Sequence, residues 1–487
     1  MIRIVRGRYS RDADIPRQGS LPVNTAVHSS PRERRKVVAA TIVGTTIEWY
    51  DFFIYSFAAN LVFAELFFKP AGPEFATILS LLTIGLSFLF RPLGAFLAGH
   101  FGDKLGRRPM LVLTLLLMGG ATTLVGLLPT YETIGVAAPV LLMLLRILQG
   151  ISAGGEWGGA VLMSVEHAPA RKRGLYGMFP QLGVPLGMML ASAMLAIMRS
   201  VAPGPAFLAW GWRVPFLVSI VLIVVGYVVR RTVEESPVFQ EIQEHKEQES
   251  APIGVLFKRY GGIVVLAAML FAGNNALGYM TTGGYIQGLA SRPPAQGGYG
   301  FNPVGVQLAI LVSAFVWFLS TLFGGWLSDR FGRKRTFILG YVLLLAAAIP
   351  LFELVKQGVT GIGLGASLLA IGLGLTYGPQ AGWYAEMFPA SVRFSGVSIS
   401  YAIGAIFGGA FAASIAQALL QATGTTWAIV AYLVVMIAIG TTAAILLKDR
   451  SHIPLDIGFE RSGQWDSWRP GDPTEVEETP RHRADSV

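Results

Sequence analysis

The chain contains no cysteine in its 487 residues. Disulfides, thiolate nucleophiles and cysteine-ligated metal sites are therefore excluded. Charge is scarce too: Asp, Glu, Lys and Arg make up 14% of the residues, against about 25% in soluble domains. The six histidines form no HExxH pair, which leaves no zinc-hydrolase motif. A GxxxxGK[ST] loop is absent, which argues against an ATP-driven pump carrying its own nucleotide site. No nucleophile constellation or cofactor fingerprint stands out, so the expectation is that the chain is not an enzyme and binds no metal or cofactor. Residues 1–36 are Arg-rich without the continuous apolar stretch of a cleaved secretory signal.

What fills the chain is hydrocarbon. Hydrophobic residues reach 53% and mean hydropathy is +0.55, values that fit a lipid bilayer and not a water-soluble core. A helix needs about 20 apolar residues to cross a bilayer. Such segments are expected at roughly 37–64, 76–99, 109–128, 136–164, 174–198 and 211–229, then at 257–289, 302–326, 336–356, 362–386, 394–420 and 424–447. The fold class that follows is an all-α membrane protein with twelve transmembrane helices in two six-helix halves. Expected boundaries are a basic tail (1–36), a first bundle (37–229), a linker (230–256), a second bundle (257–447) and a final tail (448–487). In the linker, Ser236 followed by Pro237 suits the start of a short surface helix.

The formal charge of +9 is informative through its placement, and it does not call for a nucleic-acid partner. Lys36, Lys104, Arg107, Arg108, Arg171, Lys172, Arg173, Arg333 and Lys334 fall in loops on one side of the membrane. By the positive-inside rule that side is cytosolic, as are both termini, for a multi-pass protein of the cell (inner or plasma) membrane.

The two halves are duplicated. "GHFGDKLGRR" at 99–108 returns as "GWLSDRFGRK" at 325–334. Glu166, Pro169 and Arg173 return at equal spacing as Glu386, Pro389 and Arg393. Parallel six-helix repeats are a known way of building transporters.

The repeated GxxGDxxGRR loop resembles the signature of major facilitator superfamily transporters. "EWYDF" at 48–52, "RPLGAFLAGHFGDKLGRR" at 91–108, "LLRILQGISAGGEWGGAVLMSVEHAP" at 144–169 and "WGWRVPFL" at 210–217 resemble its metabolite:proton symporter branch, closest in style to shikimate permeases. The resemblance spans most of residues 37–450. It implies a transporter working by alternating access, taking up a small organic metabolite together with protons. A carboxylate such as shikimate or a di- or tricarboxylate is the expected substrate. A neutral or zwitterionic osmolyte, or uniport, is the alternative. The expected partners are the small-molecule substrate, protons and lipid, with the proton as coupling ion and a monomer as the working unit. Ser328 departs from the loop signature, which usually has Gly there.

A charge at mid-bilayer costs about 2.5–3.5 kcal/mol, so each one requires a partner or a wet cavity. The first half holds Glu48, Asp51, Arg91, Arg146 and Glu156, whereas shifting by the repeat puts Ala366 and Thr376 opposite Arg146 and Glu156. Glu48 and Asp51, spaced i and i+3, share a helical face. Asp51 with Arg146, and Arg91 with Glu156, are the expected pairs. Glu48, Asp51, Arg146 and Glu156 are the candidates for proton coupling, and the resemblance assigns that role to the stretch matched by Arg146, Gly150 and Gly154. Tyr50, Tyr55, Arg91, Gln181, Asn274, Asn275, Tyr279, Tyr377, Gln380 and Trp383 are the candidates for holding substrate. Gly99, Asp103, Gly106, Arg107 and Arg108, their counterparts Asp329, Gly332 and Arg333, and the repeated Glu166, Arg173, Glu386 and Arg393 are the candidates for conformational gating.

Overall fold

The computed structural model describes residues 31–105, 107–154, 156–231, 252–281, 284–455, 459–460 and 463–472. The linker helix expected at Ser236 lies outside the described residues. The first half comprises α1 (Pro31–Ala58), α2 (Pro73–Leu105), α3 (Arg107–Leu127), α4 (Ala137–Ala153, continued by Glu156–Glu166), α5 (Arg173–Val201) and α6 (Arg213–Arg231). The second comprises α7 (Pro252–Thr281, continued by Tyr285–Ser291), α8 (Pro303–Phe331), α9 (Arg333–Val355), α10 (Val359–Met387), α11 (Arg393–Ala405, continued through a π-turn by Ala412–Thr423) and α12 (Trp427–Leu446). Each falls on one of the twelve expected segments. Eleven are long and apolar enough to cross a membrane, and α3 supplies the shorter apolar stretch Val112–Leu127. The described part of the first helix already includes Pro31, ahead of residue 37.

The apolar residues fall into two sets. Tyr, Trp and Phe side chains fill one continuous core through both halves, while Val221, Val224, Phe315 and Val342 point outward on the bundle surface, as lipid contact requires.

Local sequence sets the helix ends and bends. Pro303 occupies the first turn of α8, where its missing N–H costs nothing, and the Asn302 side chain accepts the N–H groups of Val304 and Gly305 at 2.9 and 3.2 Å. The second segment of α7 starts at Tyr285 behind Gly284 at φ 75°, a left-handed conformation suited to glycine.

Glycine also sets how closely helices cross. At Gly150 and Gly154 of α4 an added Cβ would strike the backbone of Ser87 and of Arg91 on α2. Gly404 and Gly408 of α11 meet Ala268 and Ala272 of α7, and Gly361 and Gly365 of α10 meet Leu354 and Leu351 of α9, the close packing that small residues permit. Gly154→Val is therefore expected to force α2 from α4 and lower the melting temperature of purified protein by several degrees, through an overpacking cost of about 1–3 kcal/mol. Gly159→Ala, whose Cβ would meet nothing within 4 Å, is expected to leave it unchanged.

Candidate transport pathway

Asp51 is 1% exposed on α1. Its Oδ1 accepts the Ser219 hydroxyl of α6 at 2.6 Å, and its Oδ2 accepts the Thr122 hydroxyl of α3 at 3.1 Å. Both donors are neutral. Arg146, expected to pair directly with Asp51, does not touch it. The Arg146 Nη1 donates to Gln149 Oε1 at 2.9 Å, and Gln149 Nε2 donates to Thr122 Oγ1 at 2.8 Å. Acid and base are thus joined through Gln149 and Thr122, because Phe52 and Tyr55, whose rings lie 4.9 and 4.0 Å from the guanidinium carbon, hold Arg146 away. Its Nε and Nη2 have no hydrogen-bond partner among the described residues.

Arg91 lies 4.4 Å from the Phe88 ring centroid and 5.9 Å from Trp49 and Phe52. Arg91 and Glu48 both lie within electrostatic range of the Tyr401 hydroxyl of α11. Glu48 and Glu156 are both buried, and Glu156 lies within electrostatic range of Asp51.

The second half meets these groups with tyrosines and amides. Tyr279 packs edge-on against Phe52 and Phe88 at 5.8 and 5.6 Å, and its hydroxyl has no partner among the described residues. Tyr377 donates to Asn275 Oδ1 at 3.4 Å, and Asn275 Nδ2 has no partner among the described residues. Gln181 of α5 accepts the Trp157 indole N–H at 2.9 Å, and its own amide approaches the Tyr377 carbonyl at 3.4 Å and Gln380 Oε1 at 3.5 Å, joining the halves. The Asn274 amide is fully buried with both polar atoms unpartnered among the described residues.

Two other candidates for substrate contact each hold a bond to a backbone carbonyl. The Tyr50 hydroxyl donates to the Pro215 carbonyl at 2.8 Å, a bond inside the first half. The Trp383 indole N–H donates to the Lys448 carbonyl at 3.3 Å, just beyond the end of α12, and its ring packs on Phe337. Trp157, Tyr401, Thr122, Gln149 and Ser219 are the residues that charge and motif reasoning missed. Only Gln149, three residues after Arg146, carried a spacing signal.

At the face carrying the repeated basic loops, the halves are joined. Asp329 at the end of α8 accepts the N–H groups of Gly174 and Leu175 at 2.8 Å each, capping α5 of the other half. Arg333 bonds Asp329 at 2.6 Å and Glu386 at 3.1 Å. The two repeated Glu/Arg sets pair crosswise: Arg393 with Glu166 at 3.7 Å, Arg173 with Glu386 at 3.9 Å. The described residues among 449–472 lie over this junction. Gly332, at φ 90°, leaves room for Asp449, Arg173 donates to the Ile453 carbonyl, and Glu460 accepts from Ser391. Burial lowers the affinity of Arg450 for its proton, and neighbouring Asp466 opposes that. The side chains of Gly99, Asp103, Gly106, Arg107 and Arg108 lie outside the described residues. At the opposite end Gly284 and Gly288 of α7 pack against Asn60, which follows α1.

Two pseudo-symmetric helical halves, closed against each other at both ends around buried charge, define a multi-pass membrane transporter. The chain belongs to the major facilitator superfamily and to its metabolite-transport branch. Residues 36–259 match the "Sugar (and other) transporter" family and residues 280–474 the "Major Facilitator Superfamily". The chain is 39% identical over 421 residues to the inner membrane metabolite transport protein YhjE of Escherichia coli (strain K12), covering 86% of this chain and 95% of that protein. It is 36% identical over 440 residues to the shikimate transporter of the same strain, covering 89% and 97%. Over 432 residues it is 32% identical to the glycine betaine/proline/ectoine/pipecolic acid transporter OusA of Dickeya dadantii (strain 3937), covering 86% and 84%. Among solved structures, the proton:xylose symporter XylE bound to 6-bromo-6-deoxy-D-glucose superposes with a TM-score of 0.69 at 18% identity, covering 89% of this chain and 99% of that one.

Proposed function

We propose that this chain is a proton-coupled symporter that takes up a small organic carboxylate across the inner membrane, with the basic face and both termini in the cytosol. The halves 37–229 and 257–447 rock about the central site, a single chain suffices, and the proton is the coupling ion. The observation that carries the substrate class is Arg146: a buried guanidinium whose side-chain partner is the neutral Gln149, with two nitrogens unpartnered among the described residues. A permanently charged group so placed is costly until an anion reaches it, and its fork geometry suits a carboxylate. Asp51, held by two hydroxyls and no cation among the described residues, supports the coupling role. A shared hydroxyl linked to Arg146 through Gln149 would report anion binding to it.

Charge accounting agrees with a metabolic acid. One proton with one monoanion is electroneutral, so the pH gradient alone drives accumulation, whereas a neutral solute with one proton also gains about 2.3 kcal/mol per 100 mV. Uptake of labelled shikimate, 2-oxoglutarate, citrate, proline and betaine into energised vesicles, with and without a protonophore, tests both points. Carboxylate accumulation that collapses with protonophore is expected. Protonophore-insensitive equilibration would instead identify a uniporter, and uptake confined to betaine and proline would overturn the carboxylate assignment. Arg146→Lys is expected to raise KM for the carboxylate at least tenfold, since an ammonium loses the two-pronged contact.

A further inference from the structure

The outward side of α8 is one continuous apolar stripe. Leu308, Val312, Phe315, Leu319, Phe323 and Trp326 are all exposed and recur every three or four residues, so they share one side of the helix. From Leu308 to Trp326 the stripe rises about 27 Å, close to the hydrocarbon thickness of a bilayer at about 30 Å. The next residue on that side is the exposed Arg330, about 6 Å further on, at the level of the lipid headgroups. Its guanidinium carbon lies 4.2 Å from the Trp326 ring centroid, and the Trp326 ring packs on Phe323 at 5.6 Å. α9 repeats the arrangement in reverse. Its exposed side runs Arg335, Leu339, Val342, Leu345 and Ile349, so an arginine again stands at the basic end of a lipid-facing stripe. The four cations around the turn at Gly332 thus divide into two kinds. Arg333 turns inward to Asp329 and Glu386, and Lys334 donates to the Ile445 and Leu447 carbonyls. Arg330 and Arg335 face outward, and neither makes an ion pair among the described residues.

We propose that the α8–α9 turn is a binding site for an anionic phospholipid, whose phosphate is held by Arg330 and Arg335 and whose acyl chains lie along Phe323 and Trp326. Guanidinium forks match phosphate oxygens in geometry and charge. An indole at the interface with a cation on its face supplies both an apolar wall for the chains and a fixed seat for the charge. The site concerns the bilayer and not the cargo, so it holds whatever the chain transports. Its place in the fold also ties lipid to the closure of the basic face. Arg330 follows Asp329 directly, and the Asp329 carboxylate accepts the N–H groups of Gly174 and Leu175 in the other half. The turn is therefore held by the first half on its inner side and by the lipid on its outer side.

The experiment uses full-length protein in phosphatidylcholine vesicles that carry a minor fraction of phosphatidylglycerol brominated near its headgroup, which quenches indole fluorescence on contact. Brominated phosphatidylcholine at the same fraction gives the baseline. Wild type is expected to show excess quenching by phosphatidylglycerol that saturates, with a preference of about thirtyfold over phosphatidylcholine, or about fivefold for each arginine. Trp326→Phe removes the reporter and should remove the excess. Arg330→Gln combined with Arg335→Gln keeps every tryptophan, yet should bring the preference to within about twofold of none, while the melting temperature in phosphatidylcholine stays that of wild type. Either change alone should lose about fivefold, so the test survives if the double variant folds poorly. Inorganic phosphate in the buffer should leave the excess in place. Equal quenching by the two lipids, or an excess that persists in the double variant or in Trp326→Phe, would overturn the site. Loss of the excess on adding phosphate would do so as well, since the arginines would then be taking a free anion and not a lipid.

Discussion

Asp51→Asn is expected to abolish accumulation against a gradient while leaving downhill exchange of substrate intact. Asparagine reproduces the protonated carboxyl: its Oδ1 can accept from Ser219 and its amide can donate to Thr122, so the contacts at 2.6 and 3.1 Å survive. What is lost is the ability to release a proton. The Thr122 hydroxyl has one hydrogen and two acceptors, Asp51 and the Met118 carbonyl at 2.9 Å, while receiving the Gln149 amide. With Asp51 ionised the hydrogen is best spent on the carboxylate. With Asp51 protonated it can return to the backbone, and Gln149 and Arg146 adjust accordingly. An anion on Arg146 thus changes the value of a proton on Asp51 through two intervening side chains. In vesicles with a one-unit pH gradient, the accumulation ratio is expected to drop from about tenfold to about one, with counterflow of labelled substrate preserved. If Asp51→Asn still concentrates substrate in a protonophore-sensitive way, the proton is carried elsewhere, and Glu48→Gln and Glu156→Gln become the informative changes.

The sequence carried the architecture because bilayer physics leaves little freedom: backbone polar groups must be satisfied within each span, so apolar runs of about 20 residues become helices. The duplicated loop and the Glu/Arg sets showed which residues correspond between halves. Correspondence, however, is not contact. Glu166 and Arg173 sit in one half, yet each reaches an ion partner in the other, Arg393 and Glu386. Sequence spacing could not show that crossing. The central site was legible in its charges and less so in its geometry. Arg146 and Asp51 stood out as ions in hydrocarbon, whereas Thr122, Ser219 and Gln149 are ordinary polar residues whose importance appears once α1, α3, α4 and α6 converge. Tyr401 was invisible for the same reason, since one aromatic in an apolar helix is the commonest pattern in a membrane. Tyr50 and Trp383 each turn their polar tip to a backbone carbonyl, a bond that sequence spacing does not reveal.

Asp329→Ala is expected to release the basic face. Two effects meet at this carboxylate. It accepts the Gly174 and Leu175 N–H groups in the first turn of α5 across the interface between halves, and it is the 2.6 Å partner of Arg333, itself fully buried. Hydrogen bonds to a charged group contribute about 1.5–3 kcal/mol each, and the positive end of the α5 dipole adds to the attraction. Removing the carboxylate should cost the closed arrangement at least about 2 kcal/mol, a population shift of roughly thirtyfold toward the state open on that face. Glu386 remains as a partner for Arg333 at 3.1 Å, so the buried guanidinium is not orphaned and the bundle stays folded. The absence of native cysteine gives a clean readout. Ala381 of α10 is fully buried beside Gly177 of α5, and Ala381→Cys should react with a membrane-impermeant maleimide only when the halves part on that side. In inside-out vesicles the labelling rate is expected to rise roughly thirtyfold when Asp329→Ala is added. An unchanged rate would mean that Asp329 orders the loop without governing the opening. Asp329→Asn separates the two contributions, since it can still accept one N–H but carries no charge for Arg333 or the helix dipole; a rate between those of the parent and the alanine variant is expected.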